Sequence, residues 1–149
     1  LDNLLENATK FSPDAGEVRA EMRLLTARPD QIPPARWAAV RSQRPESSVM
    51  WITVTDHGPG IPDSEKERIF ERFYQTPSGR AVRHRGVGLG LTICREIVKA
   101  HSGVIWVADN PSGNGTVFNV LLPGAFRASP EATMAASSSV PSGSPSVVS

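Results

Sequence analysis

The chain has one cysteine and one tyrosine in 149 residues, and its net charge is only +1. A single thiol, Cys94, excludes an internal disulfide framework and suits a reducing compartment. Lysine and arginine number 16 against 15 acids, so neither a basic stripe for nucleic acid nor an acidic solvating block is present. No apolar run approaches the ~20 residues that a membrane-spanning helix needs. The three histidines, His57, His84 and His101, lie far apart and make no ligand spacing with a cysteine or acidic pair, which argues against a structural zinc site. An initiating Met is also lacking. The chain begins inside a helical pattern and reads as a piece of a longer protein, one domain with room for one core.

What is there starts with LDNLLENATKF. Leu1, Leu4, Leu5, Ala8 and Phe11 recur at helical spacing, and Asn3, Asn7 and Lys10 stack on the opposite side with Glu6 beside them. Asn costs a helix roughly half a kcal/mol against Ala or Leu. A solvated face would do better with Glu or Lys, although a plain amphipathic helix with a Glu6–Lys10 pair remains open. FSPDAG then makes a turn. EVRAEMRLL alternates as a half-buried strand with Val18, Ala20, Met22 and Leu24 on one face. Residues 26 to 48 have no clear period and read as a long loop or insertion.

VMWITVT reads as a second strand that ends in DHGPGIP. Strand alternation places Met50, Ile52, Val54 and Asp56 on one face, so a carboxylate ends the core side of a strand. A buried carboxylate needs a hydrogen-bonding partner. Either Asp56 forms an Asx-turn with Gly58 and Gly60, or it reads a donor on a flat ligand. Ser64 with Glu67 suggests a capping box for a short helix bearing Ile69, Phe70 and Phe73. Residues 74 to 88 read as a mobile loop that closes in Gly86, Gly88 and Gly90 and runs straight into the helix LTICREIVKAH. Glycines feeding a helix N-terminus suit a phosphate, or else serve as a hinge. Cys94 falls on the apolar stripe of that helix, and Gly103 is its expected stop. Two more strands, VIWVA and TVFNVLLP, follow. Thr116 shares the inward face with Phe118, Val120 and Leu122, where it either bonds local backbone or looks toward Asp56. From residue 124 the chain is Ala, Ser and Pro, a composition that does not fold.

This order predicts an α+β class: a two-layer α/β sandwich with helices on one face of a mixed, mostly antiparallel sheet. The ordered set LDNLLENATKF, DHGPGIP, IFERFY, GVGLGLTICREIVKAHSG and GNGTVFNVLLP resembles the catalytic ATP-binding domain of sensor histidine kinases. These share a superfamily with DNA gyrase, the ninety-kilodalton heat-shock chaperones and the mismatch-repair ATPases. The resemblance covers residues 1 to 123, with the insertion at 26 to 48, a lid at about 74 to 88 and a disordered tail at 124 to 149. It implies the Bergerat-type ATP-binding fold, with the first elements missing.

The resemblance implies that ATP and Mg²⁺ are the cofactors. Asn7 matches the magnesium-coordinating Asn, Lys10 a phosphate contact, and Asp56 the adenine-reading carboxylate, with Gly58, Gly60 and Ile61 beside it. Phe11 lies on the nucleotide side where Tyr is common, and Phe70 and Phe73 match the aromatic segment before the lid. Gly86, Val87, Gly88, Leu89 and Gly90 match the closing end of the lid, and Thr116 the residue behind the adenine. Asn3 stands where the gyrase and chaperone branches carry a Glu that activates water. An amide cannot take that proton usefully, so Asn3 implies phosphotransfer with little hydrolysis. None of the three histidines has the acidic follower of an acceptor: Gly58, Arg85 and Ser102 come next. The implied acceptor lies on an upstream dimerisation domain of the parent, which is expected to be a homodimer that signals to a response regulator. The module itself is expected in the cytoplasm, with anchoring of the parent left open. The competing readings are a degenerate nucleotide-binding regulatory module and an ATPase or serine kinase of the same superfamily. Gln75 and Arg85 depart from the common pattern, and the arginine of GRAVRHR that meets phosphate is not singled out.

The tail yields a first prediction. Deleting residues 124 to 149 should leave the melting temperature and ATP affinity nearly unchanged, because so little apolar surface is lost. A large drop in melting temperature would show that the tail docks on the domain.

Overall fold

The computed structural model describes residues 1–12, 16–45, 47–76, 88–124 and 136–137. Helix α1 (Asp2–Phe11) carries an acid in its first turn and Lys10 in its last, both favourable to the helix dipole, and buries Leu4 and Ala8. Strands β1 (Arg19–Leu25) and β2 (Ser48–Thr55) pair antiparallel from Arg19↔Thr55 to Leu25↔Val49. Helix α2 (Pro34–Arg41) lies between them in sequence. Two 3-10 turns, Asp63–Glu65 and Arg68–Phe70, lead toward the lid. Helix α3 (Gly90–Ala100), β3 (Val104–Asp109) and β4 (Thr116–Gly124) complete the domain. The strand order is β3-β4-β2-β1, and a two-residue strand β5 (Ala136–Ser137) pairs with Arg19 and Ala20 at the β1 edge.

The α+β class is as expected. The sheet, expected as mixed and mostly antiparallel, is antiparallel at every described pairing. The expected short helix over Ser64 to Phe73 is instead the two 3-10 turns, and neither has a side-chain cap. Glu67, offered as a capping partner, accepts a 2.8 Å bond from Arg36. Ser102, not Gly103, takes the left-handed position after α3, with φ of 58°. Of the tail, Gly124 and Ala136–Ser137 are described, and the remainder of that expectation lies outside the described residues. Among the described residues, the tail contributes Gly124, the last residue of β4, and the two-residue strand at the sheet edge.

Side chains of one strand alternate between two faces, and the core divides accordingly. On the first face Val54, Ile105, Val107, Phe118 and Val120 meet Leu4 and Ala8 of α1, Cys94 and Val98 of α3, and Ile69 and Phe70. On the second face Leu25, Val49, Trp51, Trp106 and Leu121 meet Ile32 and Val40. Helices α1 and α3 cover the first face as expected, but the 26 to 48 segment, expected as a long loop, forms α2 and builds a second small core on the other face. Trp51 Nε1 donates to Asn119 Oδ1 at 3.0 Å within this layer. Arg36 lies 5.9 Å over the Trp106 ring and pairs with Glu67, which ties α2 to the 3-10 turns.

A second tie joins those turns to the end of β3. Lys66 Nζ pairs with Asp109 Oδ1 at 2.8 Å, at the end of β3, and also with Asp63. Both hydrogen bonds raise its pKa above the ordinary value of 10.5, the Asp109 bond most.

Two predictions rest on these contacts. Ile32 is fully buried, so Ile32→Ala should destabilise the fold by about 2–5 kcal/mol in urea denaturation. A change below ~0.5 kcal/mol would mean that the insertion packs loosely in solution. For Lys66 the folded pKa is raised, so its contribution is complete below the ordinary lysine value and is lost as pH rises through the folded value. Wild type should lose its small stability advantage over Lys66→Met, below about 1 kcal/mol, only in that alkaline range. An advantage that changes between pH 6 and 9 would contradict the assignment.

Candidate functional site

Asp56 stands one residue past β2 and is 4% exposed. Its burial is tolerable because every oxygen of the carboxylate has a donor. Oδ1 accepts from the Gly58 amide at 2.9 Å and the Thr116 amide at 3.1 Å. Oδ2 accepts from Thr116 Oγ1 at 2.5 Å. The backbone is held as well: Asp56 N donates to Thr116 O at 2.9 Å, and Asp56 O accepts from Asn110 Nδ2 at 3.0 Å. Thr116 reaches Asp56 because it opens β4 beside the end of β2, where Thr55 pairs with Val117. Gly58 is required by close approach, since a Cβ there would meet Phe11 O at 2.5 Å. That contact brings the end of α1 against the DHGPG turn.

The result is a cleft of about 280 Å³ between α1, the end of β2, the start of β4 and the start of α3. Among the expected site residues, Asn3, Asn7, Lys10, Phe11, Asp56, Gly60, Ile61, Gly88, Gly90 and Thr116 line it. Asn3 Nδ2 donates to Gly90 O at 3.4 Å, which joins the polar face of α1 to the first turn of α3. Lys10 Nζ lies 5.6 Å over the Phe11 ring. Phe73 N donates to Gly88 O at 3.0 Å; most of the expected lid between them, residues 77–87, lies outside the described residues.

Four expected residues stand elsewhere. Phe70 is 1% exposed and packs edge-on against Phe118 in the core, because its 3-10 turn folds under α3, where Thr92 Oγ1 donates to Phe70 O at 3.0 Å. Phe73 is 68% exposed and does not line the cleft. Gly58 supports the cleft from behind through its bond to Asp56, and Leu89 precedes α3 without lining it. Gly86 and Val87, with the GRAVRHR stretch, lie outside the described residues. Cys94 belongs to the core, where burial pushes its thiol pKa up. His57 Nδ1 lies 2.9 Å from Glu17 O and His101 Nδ1 lies 2.8 Å from Ile97 O.

The sequence reading missed Glu6, Pro59, Ile69, Tyr74, Gln75, Thr76, Leu91 and Phe118 as lining residues. A signal existed for some of them. Strand alternation already placed Phe118 beside Thr116, and Glu6 sits within the polar line of α1. Tyr74 closes the IFERFY motif, and its ring lies 4.5 Å beneath the Arg68 guanidinium.

In chemical terms the cleft is lined by apolar side chains, a fixed carboxylate acceptor, the amides of Asn3 and Asn7, a lysine and the start of α3. Such a site suits a flat polar heterocycle joined to an anion.

Residues 1–125 match the family model of histidine kinase-, DNA gyrase B- and HSP90-like ATPases. The chain is 41% identical over 125 residues to the signal transduction histidine-protein kinase/phosphatase MprB of Mycolicibacterium paratuberculosis, across 82% of this chain and 20% of that protein. To the sensor histidine kinase WalK of Bacillus subtilis it is 36% identical over 123 residues, 83% of this chain and 17% of that protein. The chain thus spans about a fifth of the length of these curated relatives. Among solved structures, a mycobacterial sensor histidine kinase MprB superposes with a TM-score of 0.56 at 32% identity, over 82% of this chain and 66% of that one. Full-length ShkA in complex with AMPPNP superposes with a TM-score of 0.57 at 27% identity, over 86% of this chain and 21% of that one.

Proposed function

The chain belongs to the family of histidine kinase-, DNA gyrase B- and HSP90-like ATPases, and from that premise we propose that it is the ATP-binding module of a two-component sensor histidine kinase. It binds Mg-ATP and presents the γ-phosphate to a histidine on the parent's dimerisation domain. The observation that carries this reading is the pairing of the buried, fully bonded Asp56 with the amide face of α1 across one cleft.

Each residue has a role that its chemistry supports. Asp56 accepts from the exocyclic amino group of adenine, and Thr116 and Gly58 hold it in place for that contact. Ile61, Leu91 and Phe118 supply the apolar surface for the base. Lys10 meets phosphate oxygens when it leaves the Phe11 ring.

The donor set also fits Mg²⁺. The cation prefers hard oxygens and keeps several waters, so one protein oxygen beside a triphosphate suffices. Asn7 lines the cleft, and among the described residues nothing engages its amide. Among the described residues no group of three His, Cys, Asp or Glu forms a cage of its own. When bound, the ion neutralises charge on the triphosphate. The protein's contribution to transfer is positioning and electrostatic complementarity.

Asn3 speaks for transfer over hydrolysis. Its amide offers no general base, and its Nδ2 donates to Gly90 O. The acceptor, the response regulator, the homodimeric parent and the cytoplasmic placement of the module follow from the kinship to sensor kinases and belong to the proposal. Among the described residues no helix is long and apolar enough to cross a membrane.

The test uses labelled ATP. The chain should bind Mg-ATP, yet neither label itself nor release phosphate at a meaningful rate. Added as a separate polypeptide, the parent's dimerisation domain should take up the label slowly. A mixture at micromolar concentration forgoes the roughly millimolar effective concentration of a tether. The label should be acid-labile and alkali-stable, as a phosphoramidate is. Brisk hydrolysis or self-labelling would overturn the reading of Asn3 and move the chain to the ATPase or serine-kinase branch.

A further inference from the structure

Asn110, just after β3, is a buried polar residue, 5% exposed. It does not line the cleft. Its hydrogen-bonding groups are nonetheless committed. Nδ2 donates to Asp56 O at 3.0 Å and to Asn114 O at 3.4 Å. Oδ1 accepts from the Ser112 amide at 3.0 Å. The backbone N donates to Gly115 O at 3.1 Å, and the backbone O accepts from Gly113 N at 3.2 Å. One half of the carboxamide therefore shapes the β3–β4 turn, as an Asx-turn does. The other half crosses 54 residues of sequence to the main chain of Asp56.

The Asp56 carbonyl is the group on which the two halves converge. Gly115, at φ of 114°, brings its backbone so close that a Cβ there would meet Asp56 O at 2.0 Å. The turn shaped by Asn110 thus forms the wall against which Asp56 rests, and the same side chain supplies the hydrogen bond through that wall. Thr116, which donates twice to the carboxylate, follows directly after Gly115.

We propose that Asn110 is a positioning residue for base recognition. Its carboxamide fixes the Asp56 main chain and the Gly115–Thr116 corner, and so aims the Asp56 carboxylate into the cleft. This rests on the reading of Asp56 as the adenine-recognising group. Asn110 acts through Asp56 and makes no contact with nucleotide.

The test compares ATP with inosine triphosphate, which carries a carbonyl in place of the amino group, by direct binding titration on the full 149-residue chain. Wild type should prefer ATP, and Asp56→Ala should abolish that preference. Asn110→Ala removes the buried donor to Asp56 O and should lower ATP affinity roughly tenfold while the inosine nucleotide changes by less than about twofold. Asn110→Asp keeps the acceptor for the Ser112 amide but loses the donor, so it should also lose the preference. In the nucleotide-free variants the Gly58 amide resonance should shift, because its acceptor has moved. Should Asn110→Ala fail to fold, Asn110→Ser keeps a turn-forming hydroxyl and carries the same comparison. Equal losses for both nucleotides, or a preference retained in Asn110→Ala and Asn110→Asp while Asp56→Ala abolishes it, would overturn the role of Asn110 alone. Absence of any preference in wild type would overturn the reading of Asp56 and this proposal together.

Discussion

A carboxylate removed from water must be met by donors, and much of this domain is arranged around meeting one. Asp56 draws the end of β2, the DHGPG turn and the first residue of β4 to a single point. Because Gly58 donates to Asp56 while touching the backbone of Phe11, α1 is drawn to the same point. The polar face of α1 then faces the turn across a cleft instead of facing solvent. The costly asparagines of the first helix and the buried acid are two sides of one arrangement.

The sheet carries this arrangement on one face and a separate packing problem on the other. β2 is apolar on both sides, with Val54 toward α1 and α3 and Val49 and Trp51 toward α2. Without the insertion, the tryptophans at 51 and 106 would present indole surface to water, a large patch for a monomeric domain. Arg36 of α2 pairs with Glu67, and Lys66 pairs with Asp109 at the end of β3, so the 3-10 turns are tied both to α2 and to the sheet. The second layer is thus linked mechanically to the neighbourhood of the cleft.

Periodicity made the main elements legible. The 3.6-residue stripe of α1 and α3 and the alternation in β2 and β4 sit close to their observed limits. The inward placement of Asp56 and Thr116 was read from alternation, and their mutual bond was the simplest way to satisfy both. The insertion was not legible. Its helix has eight residues and starts at Pro34, and its two anchors, Ile32 and Val40, are too far apart to show a period. Phe70 was misplaced because an aromatic near a ligand and an aromatic in the core look alike in sequence; only the turn geometry separates them. Asn110 was invisible for a similar reason. Asn in a turn is ordinary, and nothing in its own neighbourhood announces a partner 54 residues away.

The strand order has a consequence for how the chain acquires its structure. β2 is central, yet one of its neighbours, β4, comes some 60 residues later, as the separation of the Asp56–Thr116 bond records. During synthesis the β1–β2 pair emerges before β4, which leaves the β4-side edge of β2 unpaired and the strand apolar on both faces. Closure of so large a loop costs entropy before any contact repays it, which slows folding relative to a helical bundle of equal size. An unpaired, apolar strand edge is also a template for other chains. The nascent domain is therefore most exposed to misassociation in the interval between the emergence of Thr55 and that of Leu122, when its central strand lacks the β4 partner and its acid has no donor from Thr116.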